Sequence, residues 1–199
     1  MITLHHAPMS RSGGILWLLE ELAIPYETKI VNIRRADGSG GRDAANLHPH
    51  GKVPLLMDDG DTVFESGAIA LYLTDKYRKV RMGPAPGEAG RGEYLSWLAY
   101  RTGVMEPALI CRRLNIQHVY GMMGWGPADE VEEVLERHLA SRSYFLGEEF
   151  SAADVIMGGA VNFMLMAKMI TETPALKAYA ARITDRPAFR KMMERDAPR

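Results

Sequence analysis

The spacing of apolar residues changes rhythm near residue 80. Before that point, short alternating runs and helical stretches take turns. Ile2–His6 alternates as a strand, and Ser12–Leu22 carries apolar residues at helical spacing through Ile15, Leu18, Leu19 and Leu22. Pro25 breaks that helix, and Tyr26–Ile33 alternates again. A strand, a helix and a strand of this length predict a right-handed crossover joining a parallel pair. Leu55–Met57 and Thr62–Phe64 then flank Asp58-Asp59-Gly60-Asp61, a hairpin turn signal, and the helix Ser66–Tyr77 follows. The first part therefore reads as a βαβ unit followed by ββα.

Between Arg34 and His50 the pattern fades into Asp37-Gly38-Ser39-Gly40-Gly41, a loop by composition. Gly83-Pro84-Ala85-Pro86-Gly87 makes 79–88 the best linker in the chain. Beyond it no segment alternates. Helices are expected at about Ala89–His118, Pro127–Ala140, Ser151–Met169, Pro174–Ile183 and Pro187–Arg195. The predicted division is a domain at 1–78, the linker, and an all-helical domain at 89–199. Ser151-Ala152-Ala153-Asp154 reads as a capping box, with Ser151 as N-cap and Asp154 reaching back.

Composition narrows the function. The chain has 199 residues, 47% apolar and 25% charged, with a formal net charge of -1. That balance gives no electrostatic case for nucleic acid or an anionic membrane. The longest apolar stretch, around Val155–Met169, is interrupted by Gly158, Gly159, Asn162 and Lys168, too often for a bilayer span. The N-terminus lacks the features of a signal peptide, so a cytoplasmic protein is expected. Cys111 is the single cysteine, which excludes an internal disulfide, a CxxC redox pair and a cysteine-rich zinc site. It falls mid-pattern in an apolar helix, as a buried and inert thiol would. His5 and His6 are neighbours on a strand and point to opposite faces, so they cannot chelate one ion together. No metal site is expected.

One stretch carries candidate chemistry. His48-Pro49-His50-Gly51-Lys52-Val53-Pro54-Leu55-Leu56 is followed by Phe64-Glu65-Ser66-Gly67-Ala68-Ile69. Pro54 belongs at a strand start or edge. A cis Val53–Pro54 bond leaves the Val53 main chain free to pair with an extended peptide ligand. Ser66 reads as the N-cap of an apolar helix whose start attracts a carboxylate, and Glu65 offers the opposite sign to an amine. Together these describe a pocket for a small zwitterionic peptide. Ser10 and Ser12, before the first helix, are at the least helix caps. The methionines Met105, Met122, Met123, Met164, Met166 and Met169 are read as core fillers.

The chain resembles the cytosolic glutathione S-transferases, of bacterial type, at several places in order. Ser10-Arg11-Ser12 with Ile15-Leu16-Trp17-Leu18-Leu19-Glu20-Glu21-Leu22 is similar to their first helix. Gly51-Lys52-Val53-Pro54 and Glu65-Ser66-Gly67-Ala68-Ile69 resemble their glutathione-site motifs. Trp97-Leu98 with Tyr100, Phe145–Asp154 and Arg186-Pro187-Ala188-Phe189 resemble helical-domain segments. The resemblance implies a thioredoxin-like α/β domain followed by a helical bundle, with glutathione as co-substrate. It further implies a homodimer that conjugates the glutathione thiolate to a small hydrophobic electrophile. Ser10 falls at the family's thiol-activating position, with Ser12 as second choice. Lys52, Val53, Pro54, Glu65 and Ser66 fall at glutathione-binding positions, and Pro8, Met9, Met105 and Trp125 are candidates to line the hydrophobic pocket. Peroxide reduction by the same thiolate, or binding without turnover, stays open.

Overall fold

The structure is a computed structural model and describes residues 1–197. Its first elements follow the apolar rhythm: β1 (Ile2–His6), α1 (Ser12–Leu22), β2 (Tyr26–Ile30), β3 (Leu55–Asp58), β4 (Asp61–Phe64) and α2 (Ser66–Lys76). The sheet order is β2-β1-β3-β4, with β1 and β2 parallel and the other neighbours antiparallel. β2 stops at Ile30 rather than Ile33; past it, Val31 donates its N–H to His6 O at 2.9 Å. The β3–β4 turn places Asp59 at φ 50° and Gly60 at φ 93°, the two positive values of a type I′ hairpin. Ala23, at φ 51°, ends α1 in a left-handed turn ahead of Pro25.

Strand register positions the candidate residues. His5 lies opposite Leu55, and Leu55 lies opposite Phe64. The end of β1, the start of β3 and the end of β4 therefore share one end of the sheet. The segments that leave it there carry Ser10, Val53-Pro54 and Glu65-Ser66. Leu4, Leu55 and Leu56 on the sheet and Ile15, Leu16, Leu18 and Leu19 on α1 are fully buried. Each such side chain contributes about 1.5–3 kcal/mol, so the scaffold beneath this end is firm.

The chain forms two compact units, one of Met1–Val80 with residues 186–197 and one of Arg81–Asp185. The second contains α3 (Arg91–Tyr100), a π-helical turn (Arg101–Met105) and α4 (Glu106–Arg113), running on where a single helix to His118 is expected. It continues with α5 (Ala128–Leu139), a π-helical turn (Asp154–Gly158) leading into α6 (Gly159–Met166), and α7 (Pro174–Thr184). Gly158 has a packing reason: a Cβ there would lie 2.6 Å from Tyr179 Oη, so α7 approaches only a bare backbone.

The last helix, α8 (Pro187–Asp196), departs from the expected division. Sequence pattern groups it with the helical domain; the structure packs it on α1 of the first unit. The reason is chemical. Arg186 makes a bidentate pair with Glu21 at 2.7 and 2.7 Å, Lys191 and Arg195 pair with Glu20, and Phe189 meets Trp17 edge-on at 5.0 Å.

Candidate active site

The loop from β1 to α1 turns sharply, with Met9 at φ 56°, and delivers two hydroxyls to the helix start. Ser10 is half-buried. Its Oγ lies 2.7 Å from Ala7 O, to which it donates, and 2.8 Å from Ser12 Oγ, and it accepts the Ser12 N–H at 3.3 Å. Ser10 thus satisfies the first helical amide, although the cap position itself belongs to Arg11, whose side chain makes no capping bond. Ser12 is fully buried at 0% exposure, with its Oγ 2.8 Å from His6 Nδ1 and accepting the Ala7 N–H at 3.2 Å. Behind them the N-terminus of α1 favours negative charge. Its first turn has no acidic residue of its own, but the Asp196 carboxylate lies against Gly13 there.

Val53–Pro54 is cis, as the motif predicts, immediately ahead of β3. Val53 packs with Ala7 and Val31 in one small apolar cluster, so the residue whose carbonyl holds Ser10 also backs Val53. A polar network below this segment was not legible in the sequence. Asn46, buried, donates Nδ2–H to Lys52 O at 2.8 Å, while its Oδ1 takes the His48 N–H at 3.2 Å and faces His5 Nδ1 at 3.3 Å. Asn46 thereby fixes the carbonyl one residue before Val53. Burial lowers the pKa of His5 and of His48 from the ordinary histidine value. The Lys52 side chain is exposed.

The start of α2 differs from expectation. Ser66 is its first helical residue, and the cap position belongs to Glu65, at φ 71° and ψ 125°. Non-glycine residues rarely occupy that conformation, and it tends to persist where function holds it. No side-chain hydrogen bond caps the helix, so Ser66 is not the N-cap that its place in the sequence suggests. By helix geometry the backbone amides of the first turn have no intrahelical partner.

The other candidates are placed less favourably. Met105 is fully buried within the second unit and offers no surface to a ligand there. Met9 is 65% exposed, while Pro8 and Trp125 are half-buried. Of the methionines read as core fillers, Met105 and Met164 are buried, but Met122 and Met166 lie exposed. Cys111 is half-buried on α4, where full burial was expected. Among the described residues no three His, Cys, Asp or Glu side chains converge as metal ligands, and no helix is long and apolar enough to cross a membrane. His5 and His6 do point to opposite faces, one to Asn46 and the other to Ser12. Sequence reasoning also missed Asp196, whose carboxylate accepts the Met9 N–H at 3.2 Å. Nothing near residue 196 in the chain signals that role.

Comparison with known proteins agrees with the geometry. Residues 9–76 match the glutathione S-transferase N-terminal domain, and residues 123–182 match the glutathione S-transferase C-terminal domain. Glutathione S-transferase 3 of Schizosaccharomyces pombe is 33% identical over 220 residues, covering 98% of this chain and 88% of that protein. Among solved structures, a glutathione S-transferase from Actinobacillus pleuropneumoniae superposes with a TM-score of 0.81 at 27% identity, covering 98% of this chain and 93% of that one. A sphingomonad glutathione S-transferase complexed with glutathione gives 0.76 at 27% identity, covering 98% of each chain. The chain belongs to the glutathione S-transferase family.

Proposed function

We propose that the protein binds glutathione at the end of the sheet where β1, β3 and β4 meet, and transfers its thiolate to a small hydrophobic electrophile. The observation that carries this reading is the shared sheet end: register brings the loops bearing Ser10, Val53 and Glu65 out on the same side. In this reading the Val53 main chain pairs with the cysteinyl backbone, and Lys52 faces the glycyl carboxylate. The uncapped start of α2 takes the γ-glutamyl carboxylate, with the Ser66 N–H in its first turn, while Glu65 balances the neighbouring amine. Ser10 donates to the sulfur.

Catalysis then has two sources. Holding the thiol beside a helix N-terminus and a hydroxyl favours its ionised form, and a free thiol of pKa ~8.5 needs that help at neutral pH. Positioning supplies the rest. The family membership further supports a cytoplasmic homodimer. Glutathione titration followed by turnover of an aromatic halide tests the reading. Binding with conjugation is the expected result; absence of glutathione binding would sink it.

A further inference from the structure

Behind the two serines stands a pair that the reading above does not use. His6 is 1% exposed, and its Nδ1 lies 2.8 Å from Ser12 Oγ. Its other nitrogen, Nε2, is buried, makes no hydrogen bond, and faces Asp196 Oδ1 at 3.2 Å. An ionised carboxylate offers only acceptors, so a hydrogen on Nε2 suits the pair and leaves Nδ1 bare to accept from Ser12. The series Asp196, His6, Ser12, Ser10 thus leads from the last turn of α8 to the half-buried hydroxyl ahead of α1, with hydrogen-bond distances joining His6, Ser12 and Ser10 and an ion-pair distance joining Asp196 to His6.

The residues around the carboxylate hold it in place. Gly13 leaves room for the carboxylate, since a Cβ there would sit 3.3 Å from Asp196 Oδ2. The Met9 N–H fixes Oδ1 at 3.2 Å. Arg35 binds the β1–α1 loop, donating to Pro8 O at 3.0 Å, while three neighbouring cations and His5 are engaged elsewhere. Lys191 and Arg195 of α8 engage Glu20, Lys29 of β2 reaches Ala45 O, and His5 lies on the opposite face of β1. Among the described residues, Asp196 supplies the carboxylate within pairing distance of His6.

We infer that His6, held by Asp196, receives the proton of the bound thiol through Ser10 and Ser12. The inference rests on the glutathione reading, with Ser10 nearest the sulfur. The S–H bond breaks and its proton joins Ser10 Oγ as the Ser10 proton passes to Ser12 Oγ and the Ser12 proton to His6 Nδ1. The electron pair stays on sulfur, and nothing is oxidised or reduced. Ser10 can pass its proton because its two acceptors, Ala7 O and Ser12 Oγ, lie at 2.7 and 2.8 Å. The result is a thiolate and an imidazolium beside a carboxylate. Once the sulfur has been consumed by the electrophile, the imidazolium returns its proton to solvent. His6 and Asp196 act through the serines and are positioning residues.

The test compares intact wild-type protein with the H6Q and D196N variants. Ultraviolet absorbance of bound glutathione thiolate is followed against pH, and turnover of an aromatic halide is measured alongside it. Affinity for S-methylglutathione, which has no thiol proton, serves as the control for an intact site. In H6Q the thiolate titration should move to alkaline pH by about one unit or more. Turnover at neutral pH should fall by up to about tenfold for each unit of that shift and recover at alkaline pH. S-methylglutathione affinity should stay within about twofold of wild type. D196N should move both curves in the same direction by less. If H6Q fails to fold, D196N decides alone, a shift supporting the relay and an unmoved curve overturning it. Variants that titrate and turn over like wild type overturn the relay and leave the glutathione reading standing. A wild-type protein that binds neither glutathione nor S-methylglutathione overturns both.

Discussion

Two helix starts in the same unit, both opening on short polar residues, are built in opposite ways. At α1 the two hydroxyls are tied inward: Ser10 to Ala7 and Ser12, and Ser12 to His6. Neither cap residue, Arg11 nor Glu65, makes a side-chain capping bond, but among the described residues no hydroxyl network stands beside the α2 start, and Glu65 holds a rare backbone conformation while its side chain stays exposed. In the proposed relay the first start carries a proton inward. In the proposed reading the second leaves its amides for the ligand carboxylate. A helix N-terminus attracts anions in either case, so the difference lies in what the neighbouring side chains leave unsatisfied.

A third start, at Ser151, shows a terminus built for the fold alone, and it carries the largest expected effect. Asp154 is fully buried and accepts from the Phe145 N–H at 2.8 Å, the Ser151 N–H and hydroxyl at 2.9 Å each, and the Tyr179 hydroxyl at 3.1 Å. Burial raises its carboxyl pKa, against those four donors. The expected box forms by half, since the Ser151 hydroxyl donates to Asp154 instead of capping its amide. Asp154→Ala strands four buried donors and should lower unfolding free energy by about 3 kcal/mol or more. Chemical denaturation checks this; a loss under about 1 kcal/mol would make Ser151 no different from an exposed cap.

Ser10→Ala tests the wired start next. Losing one hydrogen bond to a charged sulfur is worth roughly 1.5–3 kcal/mol, or about ten- to a hundredfold in turnover. Glutathione affinity should change less. Ser12→Ala should also slow turnover, because Ser12 links Ser10 to His6. If Ser12→Ala moves the thiolate titration and Ser10→Ala does not, the two serines exchange roles. If neither moves it, both are only caps, and the contrast with α2 collapses.

How much of this could be read beforehand follows from sequence distance. Ser10, Ser12, Val53, Pro54 and Glu65 sit in local motifs, where a turn, a proline or a helix start leaves its mark within a few residues. His6 was visible too, but only as one of two adjacent histidines on opposite faces. What made it informative is Asp196, at the far end of the chain and brought near by α8. The docking of α8 depends on Glu20 and Glu21, which in the sequence look like a solvated helix end. Asn46 was hidden for the same reason: its partners His5 and Lys52 gain meaning only once β1 and β3 pair. Local pattern announces loops and caps; contacts between distant segments decide which of them are connected.

Glu65→Ala probes the open start with a smaller effect. Glu65 is exposed, so its attraction for the ligand amine is screened and worth up to about 1 kcal/mol, or roughly fivefold in affinity. Glutathione KM should rise by about that factor with kcat nearly unchanged. A fall in kcat at constant KM would instead place Glu65 in the chemistry and erase the division of labour between the two helix starts.

The smallest effect concerns acid. Beneath the Lys52–Val53 segment, His5 and His48 are buried, and burial lowers both from the ordinary value of 6.5, with Asn46 opposing at His5 and Glu65 opposing at His48. A histidine lowered on folding prefers its neutral form in the native state. Its contribution is therefore complete above the unfolded value of 6.5 and is lost as pH falls from there toward the folded values. Unfolding free energy should be flat across neutral pH and decline below it. The decline should be shallower in His48→Gln, because Gln keeps a polar group where His48 Nδ1 accepts the His50 N–H yet cannot gain a proton. Glutathione affinity should weaken over the same acid range, since Asn46 ties this network to Lys52 O. If affinity held steady while stability fell, the network would support the fold without shaping the ligand clamp, and the acid sensitivity of the site would have to come from the α1 side alone.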